Sequence, residues 1–318
     1  MKKGLTKEEG YVRMFSAKTA RTRNEVQFKE PKKKMESIMK KVLTLLLATV
    51  MVLGCFALVG CGGGSETSES QSGGAEVKKL VMATNATFPP YEYMQGTEYK
   101  GIDIEIAQAI AAKLGRTLEI ANVEFDTIIG GVQTGKYDMG MAGMTVTPKR
   151  QESVNFSTSY ATGIQVVIIR EDSEYQDLDD FFNLDEEGNW VSVKEGVKVG
   201  VQQGTTGDIY ASCPVDEWGF GEENVVKYKN GPDAVAALLQ GRISCVIIDN
   251  EPAKAYVANN QGLKITETEY ANEDYAICVA KENTELLAQI DQALAELTAD
   301  GTIAAIIEKY IPSDGAAE

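Results

Sequence analysis

The 318-residue chain carries 31 basic and 47 acidic side chains, a net charge of −16, and no histidine. Beyond residue 60 the acidic excess grows: 13 basic and 5 acidic residues precede Cys61, leaving 18 basic against 42 acidic groups and a charge of −24. Such a surface repels a phosphodiester backbone and offers no basic patch interleaved with aromatics, which excludes nucleic acid. With no histidine and no CxxC pair, the usual zinc site is excluded too, and no cofactor is expected.

Residues 1–34 are strongly polar and precede Met35, which could itself start the chain; they are expected to be an upstream leader without a place in the fold. From Met39 the sequence reads as a secretion signal, with Lys40 and Lys41 followed by an uncharged run from Val42 to Gly60. A plain transmembrane anchor competes, because the run approaches the roughly 20 residues that span a bilayer. The ending decides between them. Leu58-Val59-Gly60-Cys61, followed by Gly62-Gly63-Gly64-Ser65, resembles the lipobox of bacterial lipoproteins and implies lipidation at Cys61, with Cys55 as a weaker match. Gly62 to Glu76 holds nothing that could be buried and is expected to be a tether. The chain thus divides into a leader and signal over 1–60, a tether over 61–77, and a folded part from 78.

In the folded part, short apolar runs alternate with amphipathic stretches. Leu80–Ala83 predicts a strand and Ile102–Leu114 a helix closed by Gly115; Leu118–Ile120 is the next strand and Phe125–Gln133 the next helix. Tyr137–Met141 is a strand running into Ala142-Gly143-Met144-Thr145. A second block repeats the order: strands at Val197–Val201, Val225–Tyr228 and Cys245–Ile248 alternate with helices near Thr206–Ser212, Asp233–Leu239 and Glu251–Ala258. Two extended runs, Gln165–Ile169 and Tyr275–Val279, link the blocks, and two helices, Glu285–Leu297 and Thr302–Tyr310, end the chain. Alternation with short links predicts mostly parallel sheets covered on both faces. The terminal helices need a surface to pack on, and the first block supplies it. The predicted architecture is a discontinuous lobe I (78–162 plus 273–318), a continuous lobe II (163–272) and a cleft between them. Residues 171–195 are expected to be a charged insertion whose aromatics cover lobe II.

Several residues fall where strand ends meet that cleft. Arg150 follows Thr145-Val146-Thr147-Pro148-Lys149, and its planar guanidinium matches a carboxylate, although an exposed arginine in a first helical turn reads equally well. Gln203-Gly204-Thr205-Thr206-Gly207-Asp208 is a strand-to-helix turn suited to an anion, or an ordinary N-cap. Asp249 ends an apolar strand, where it can face an ammonium or cap the next helix. Phe88, Tyr91 and Phe125 are aromatics in or beside turns, Tyr91 fitting the core better than a ligand surface. Cys245 and Cys278 read as buried thiols and Cys213 as exposed.

Together the segments MATNATFPPYEY (82–93), GIDIEIAQAIAAKLG (101–115), FDTIIGGVQTGKYDMGMAGMTVTPKRQESVNFS (125–157), VGVQQGTTGDIYA (199–211), VIIDNEPAKAYV (246–257) and ADGTIAAIIEKYI (299–311) resemble the polar amino-acid solute-binding proteins of ABC transporters. The resemblance implies the α/β, two-lobed type 2 periplasmic-binding-protein fold, hinged at two crossover segments, here in lipoprotein form. It implies that Arg150 holds a ligand α-carboxylate with the backbone at Thr205 and Thr206, that Asp249 holds the α-ammonium, and that Gly143 and Thr145 complete these contacts. Phe88 and Phe125 would flank the side chain, with Asn85, Gln202 and Ile248 choosing among ligands. The expected partners are a free L-amino acid and an ABC transporter permease, for a monomer lipid-anchored on the extracytoplasmic face of the cell membrane. A cleft enzyme on the same scaffold would want a histidine or a carboxylate pair of raised pKa, and the sequence offers only Asp249 there, with Glu92 expected to brace the aromatic loop. A ligand-sensing module is the other alternative. Because none of Asn85, Phe88, Phe125, Gln202 and Ile248 is charged, the ligand side chain is expected to be neutral, with basic amino acids second.

Overall fold

The computed structural model describes residues 78–312, apart from the side chains of 267–270. The leader, the signal, Cys61 and the tether lie outside the described residues. The chain opens with β1 (Lys79–Thr84) and a small antiparallel sheet of β2 (Thr87–Phe88), β3 (Glu92–Gln95) and β4 (Glu98–Lys100). Helix α1 (Ile102–Lys113) follows, then β5 (Thr117–Asn122), a 3-10 turn at Phe125–Thr127 and α2 (Ile128–Gln133). Next come β6 (Met139–Gly140), the short α3 (Pro148–Gln151) and β7 (Val154–Phe156). The long β8 (Ala161–Arg170) leads into the second lobe, where β9 (Phe182–Leu184) and β10 (Trp190–Val193) form a hairpin. There β11 (Val199–Gln202), α4 (Thr206–Ala211), β12 (Val225–Tyr228), α5 (Gly231–Leu239), β13 (Cys245–Asp249) and α6 (Asn250–Asn259) repeat the strand–helix order. The chain returns through β14 (Leu263–Tyr275) to β15 (Cys278–Ala280), α7 (Thr284–Ala299) and α8 (Thr302–Tyr310).

Each lobe is built on a five-stranded sheet, in the orders β5-β1-β6-β15-β7 and β12-β11-β13-β8-β14. Both sheets are mixed, with four of the five strands in each running the same way. In each sheet two of the four pairings are parallel and two antiparallel. The one strand that runs against the others is β15 in the first lobe and β8 in the second, whereas the crossover strand β14 runs with its lobe's majority. The crossovers are also longer than the apolar runs suggested. β8 and β14 pair antiparallel from Leu263↔Arg170 to Tyr275↔Ala161, so polar residues such as Asn272 and Glu273 lie in a strand that the apolar pattern does not reveal.

Local sequence explains the helix ends. Asn230 accepts from the Asp233 N–H at 2.9 Å to start α5, and Asn283 caps α7 by accepting from Leu286. α1 buries Ile102, Ile104, Ile106, Ala107, Ile110 and Ala111 and packs against β5, α7 and α8. The terminal helices therefore do pack on the first lobe, with Lys113–Glu296 and Lys309–Glu105 ion pairs at the rim. In the second lobe Phe181, Phe182 and Trp190 of the insertion join Phe220 in one buried cluster, and the Phe182 and Trp190 rings stack at 3.9 Å. Gly101 has φ +125°, and a Cβ there would lie 2.1 Å from the Tyr91 carbonyl oxygen, so only glycine lets α1 begin against the Tyr91–Glu92 loop.

Candidate functional site

The lobes meet around a cleft lined by Asn85, Phe88, Glu92, Phe125, Ala142, Gly143, Thr145, Arg150, Gln202, Thr205, Thr206 and Asp249. Ten of the eleven residues singled out in the sequence are in this lining. Ile248 is not. Along β13 the side chains alternate, with Val246 and Ile248 in one core cluster and Cys245 and Ile247 in another, so Ile248 packs near Gly231 of α5 while Asp249 reaches the cleft.

Arg150 is placed by a local device. Thr147 caps α3, accepting from the Arg150 N–H at 3.2 Å, and Pro148 supplies the first helical position. The guanidinium is buried, donates to the Thr145 carbonyl at 2.7 Å and, across the cleft, to the Gly204 carbonyl at 3.1 Å. It also lies 5.3 Å from the centre of the Phe125 ring, within cation–π range. Burial pulls its pKa down, while Glu273 and Asp249 oppose that through space. Both strong bonds of this cation go to carbonyls, so its charge is not committed to a carboxylate.

Asp249 faces it from the second lobe. Its carboxylate does not cap α6 but accepts from the Tyr275 hydroxyl. Burial and the nearby Glu273 push its pKa up to about 7. Glu273, on β14, is a residue the sequence reading missed: it is buried and accepts from Thr145 Oγ1 at 2.9 Å and Gln165 Nε2 at 3.0 Å. Only the register of the two crossover strands brings it here, where Glu273 pairs with Gly163.

The turn at 202–208 serves as the N-cap that its sequence allows. Thr205 Oγ1 donates to the Gln202 carbonyl at 2.8 Å and accepts from the Asp208 N–H, while the Gly204 N–H donates to Asp208 Oδ2. Thr206 Oγ1 stands 3.5 Å from Thr145 Oγ1 of the other lobe. Gly143 has φ +51°, its N–H donates to Asp103 Oδ2 at 2.8 Å, and a Cβ there would lie 2.9 Å from the Phe88 ring. At the other end of the cleft Gln202 Nε2 donates to Asn85 Oδ1 at 3.0 Å. Asn85 itself donates to the Val123 carbonyl.

Glu92 requires a correction. It does not merely brace a loop; it lines the cleft, is 1 % exposed, and keeps one carboxyl oxygen without a donor. Behind it lies Asp103, fully buried and in hydrogen-bonding reach. The carboxylate pair of raised pKa that the sequence did not offer is therefore present, and its absence cannot serve to exclude catalysis. Among the described residues no group of three or more His, Cys, Asp or Glu side chains is disposed to hold a metal. Cys213, Cys245 and Cys278 are free thiols, the first half-buried and the other two buried.

Residues 80–313 match the bacterial extracellular solute-binding proteins, family 3. The chain belongs to that family. Among its relatives is the arginine-binding extracellular protein ArtP of Bacillus subtilis (strain 168), 30% identical over 279 residues that cover 87% of this chain and 100% of that protein. Two solved structures of an ancestral arginine-binding protein, one bound to glutamine and one to arginine, are each 36% identical to it with a TM-score of 0.64. They cover 74% and 73% of this chain, and 98% of the ancestral chain in both cases. A family 3 solute-binding protein is a binder rather than an enzyme, so the polar groups of this cleft are disposed to hold a ligand.

Proposed function

We propose that this solute-binding protein captures a basic L-amino acid between its two lobes and delivers it to the permease of an ABC importer, held at the outer face of the membrane by a lipid on Cys61. The observation that carries the amino-acid reading is the pairing of an uncommitted buried guanidinium, Arg150, with a buried carboxylate, Asp249, on opposite walls of one cleft. A zwitterionic head-group supplies the missing partner of each. Unpaired burial of either charge is expensive, so ligand and protein stabilise each other in the closed form. In this reading Arg150 holds the α-carboxylate, with Thr205 and Thr206 beside it, and Asp249 takes the α-ammonium. Gly143 and Thr145 complete the head-group wall, and Phe88 and Phe125 flank the aliphatic stem.

The side chain of the ligand is reassigned from neutral to basic because of Glu92. The sequence argument for a neutral ligand assumes no carboxylate in the cleft beyond Asp249, and Glu92 adds one to the lining with an unsatisfied oxygen. The arginine-binding relatives support the same choice. Titration calorimetry of ligand-stripped protein with arginine, lysine, histidine, glutamine, leucine and glutamate tests this. Arginine or lysine is expected to bind most tightly, and tightest binding by leucine or glutamate would overturn the assignment. For the anchor, Cys61→Ser is expected to abolish acylation found by mass spectrometry, whereas an acyl group on Cys55 would contradict it.

A further inference from the structure

Glu92 and Asp103 are two carboxyl groups packed together with few donors. Asp103 Oδ2 accepts from the Gly143 N–H at 2.8 Å and from the Tyr160 hydroxyl at 2.9 Å. Asp103 Oδ1 and Glu92 Oε2 are both buried without a donor. Two carboxylates cannot satisfy each other, whereas a carboxyl and a carboxylate can, so a proton between them supplies the missing donor. Glu92 faces the cleft, and Asp103, which is not part of its lining, sits behind.

We infer that Glu92 and Asp103 titrate as one unit whose charge selects the ligand: with one proton the pair is the counter-ion of a cationic side chain, and with two it is an uncharged donor suited to a neutral polar one. The inference rests on the amino-acid reading above. In the singly protonated pair, the two donors on Asp103 draw the charge to Asp103 and leave the proton on Glu92. A guanidinium arriving at Glu92 pulls the charge forward, and the proton passes from the Glu92 carboxyl to Asp103 Oδ1. No further reactant is needed, and the proton stays within the pair. A neutral side chain exerts no such pull, so it tolerates the second proton.

The surroundings agree. Burial and mutual repulsion hold the Glu92 carboxyl well above the usual carboxylate range, and burial pushes Asp103 up to about 7 despite its donors. The groups that face the pair from other elements are Tyr91, Tyr160 and Tyr256, all raised by burial and hence uncharged near neutrality, and Asp249 on β13. Asp249 titrates near the same pH, but in this reading it holds the α-ammonium common to every amino acid. Its contribution cancels when two ligands with the same head-group are compared.

The test is the ratio of arginine to citrulline affinity, citrulline being the uncharged ureido analogue of arginine, measured by calorimetry from pH 5.5 to 8. Below about pH 7 the doubly protonated pair must lose a proton to accept arginine but not citrulline. The ratio is therefore expected to fall towards tenfold per pH unit as the medium acidifies, and to level off above pH 7. At pH 6, arginine is expected to release about one proton more than citrulline, read from the heats in buffers of different protonation enthalpy. In Glu92→Gln the pH dependence of the ratio is expected to vanish. A ratio constant across this range in the unaltered protein would overturn the inference, as would equal proton release by the two ligands. Failure of both ligands to bind at any pH would overturn the amino-acid reading and the inference with it.

Discussion

The two ends of the cleft are built on different principles. At the proposed head-group end, Arg150 and Asp249 come from opposite lobes and are each placed by one local element, a capped short helix and a strand end. At the proposed side-chain end, Glu92 and Asp103 come from the same lobe, each with a buried oxygen that lacks a donor, and in our inference a shared proton takes the place of an opposite charge. Opposed charges on two lobes reward closure and fit any amino acid. A carboxyl pair within one lobe does little for closure and discriminates among side chains.

The largest expected effect lies at the head-group end. Arg150→Ala and Asp249→Ala should each weaken binding by more than about 2 kcal/mol, roughly thirtyfold, for arginine and citrulline alike, because each leaves a ligand charge desolvated and alone. Titration of both ligands checks this, and an unequal loss between them would break the division of labour. Neutralising exposed carboxylates between Asp177 and Glu187 should leave binding unchanged.

Next in size is Gly101→Ala. The added Cβ would strike the Tyr91 carbonyl at a φ that L residues avoid. A loss of about 2 kcal/mol or more in urea denaturation is expected. If the mutant folds, arginine should suffer more than citrulline, because the loop that moves carries Glu92.

A smaller effect concerns pH. The folded-state pKa of Asp249, about 7, lies above the ordinary 3.8, so the native state binds the proton more tightly than the unfolded chain. Its contribution to stability is fully present below about pH 4 and is lost as pH rises through about 7, at no more than about 1.4 kcal/mol per pH unit. In Asp249→Asn the melting temperature of the ligand-free protein should fall less steeply between pH 5 and 7.5. Smallest of all is Glu296→Ala, at the exposed Lys113 pair far from either end, expected to cost under about 0.5 kcal/mol in the same denaturation assay.

The contrast between the ends also marks what could be read in the sequence. The residues of the head-group end announce themselves, since Thr147-Pro148-Lys149-Arg150 is a helix start after a strand and Asp249 terminates an apolar run. The strands and helices inside each lobe are legible from the same local periodicities, and so is the docking of the last two helices on the first lobe. Glu273 and the pairing of Glu92 with Asp103 are not, because both arise from contacts between segments with no local signature. β14 sets Leu263 and Tyr275 in the core but carries a largely polar stretch between them, so no continuous apolar run marks it as a strand. Ile248 lies outside the cleft lining for a simpler reason: adjacent residues in a strand point to opposite faces, and Asp249 takes the cleft side.

The most direct test of the two-ended cleft is a crystal structure of the protein with arginine bound. The α-carboxylate is expected on Arg150, the α-ammonium on Asp249, and the guanidinium within hydrogen-bonding distance of Glu92. A reversed ligand, with its guanidinium on Asp249 and Glu92 left without a cationic partner, would contradict the account.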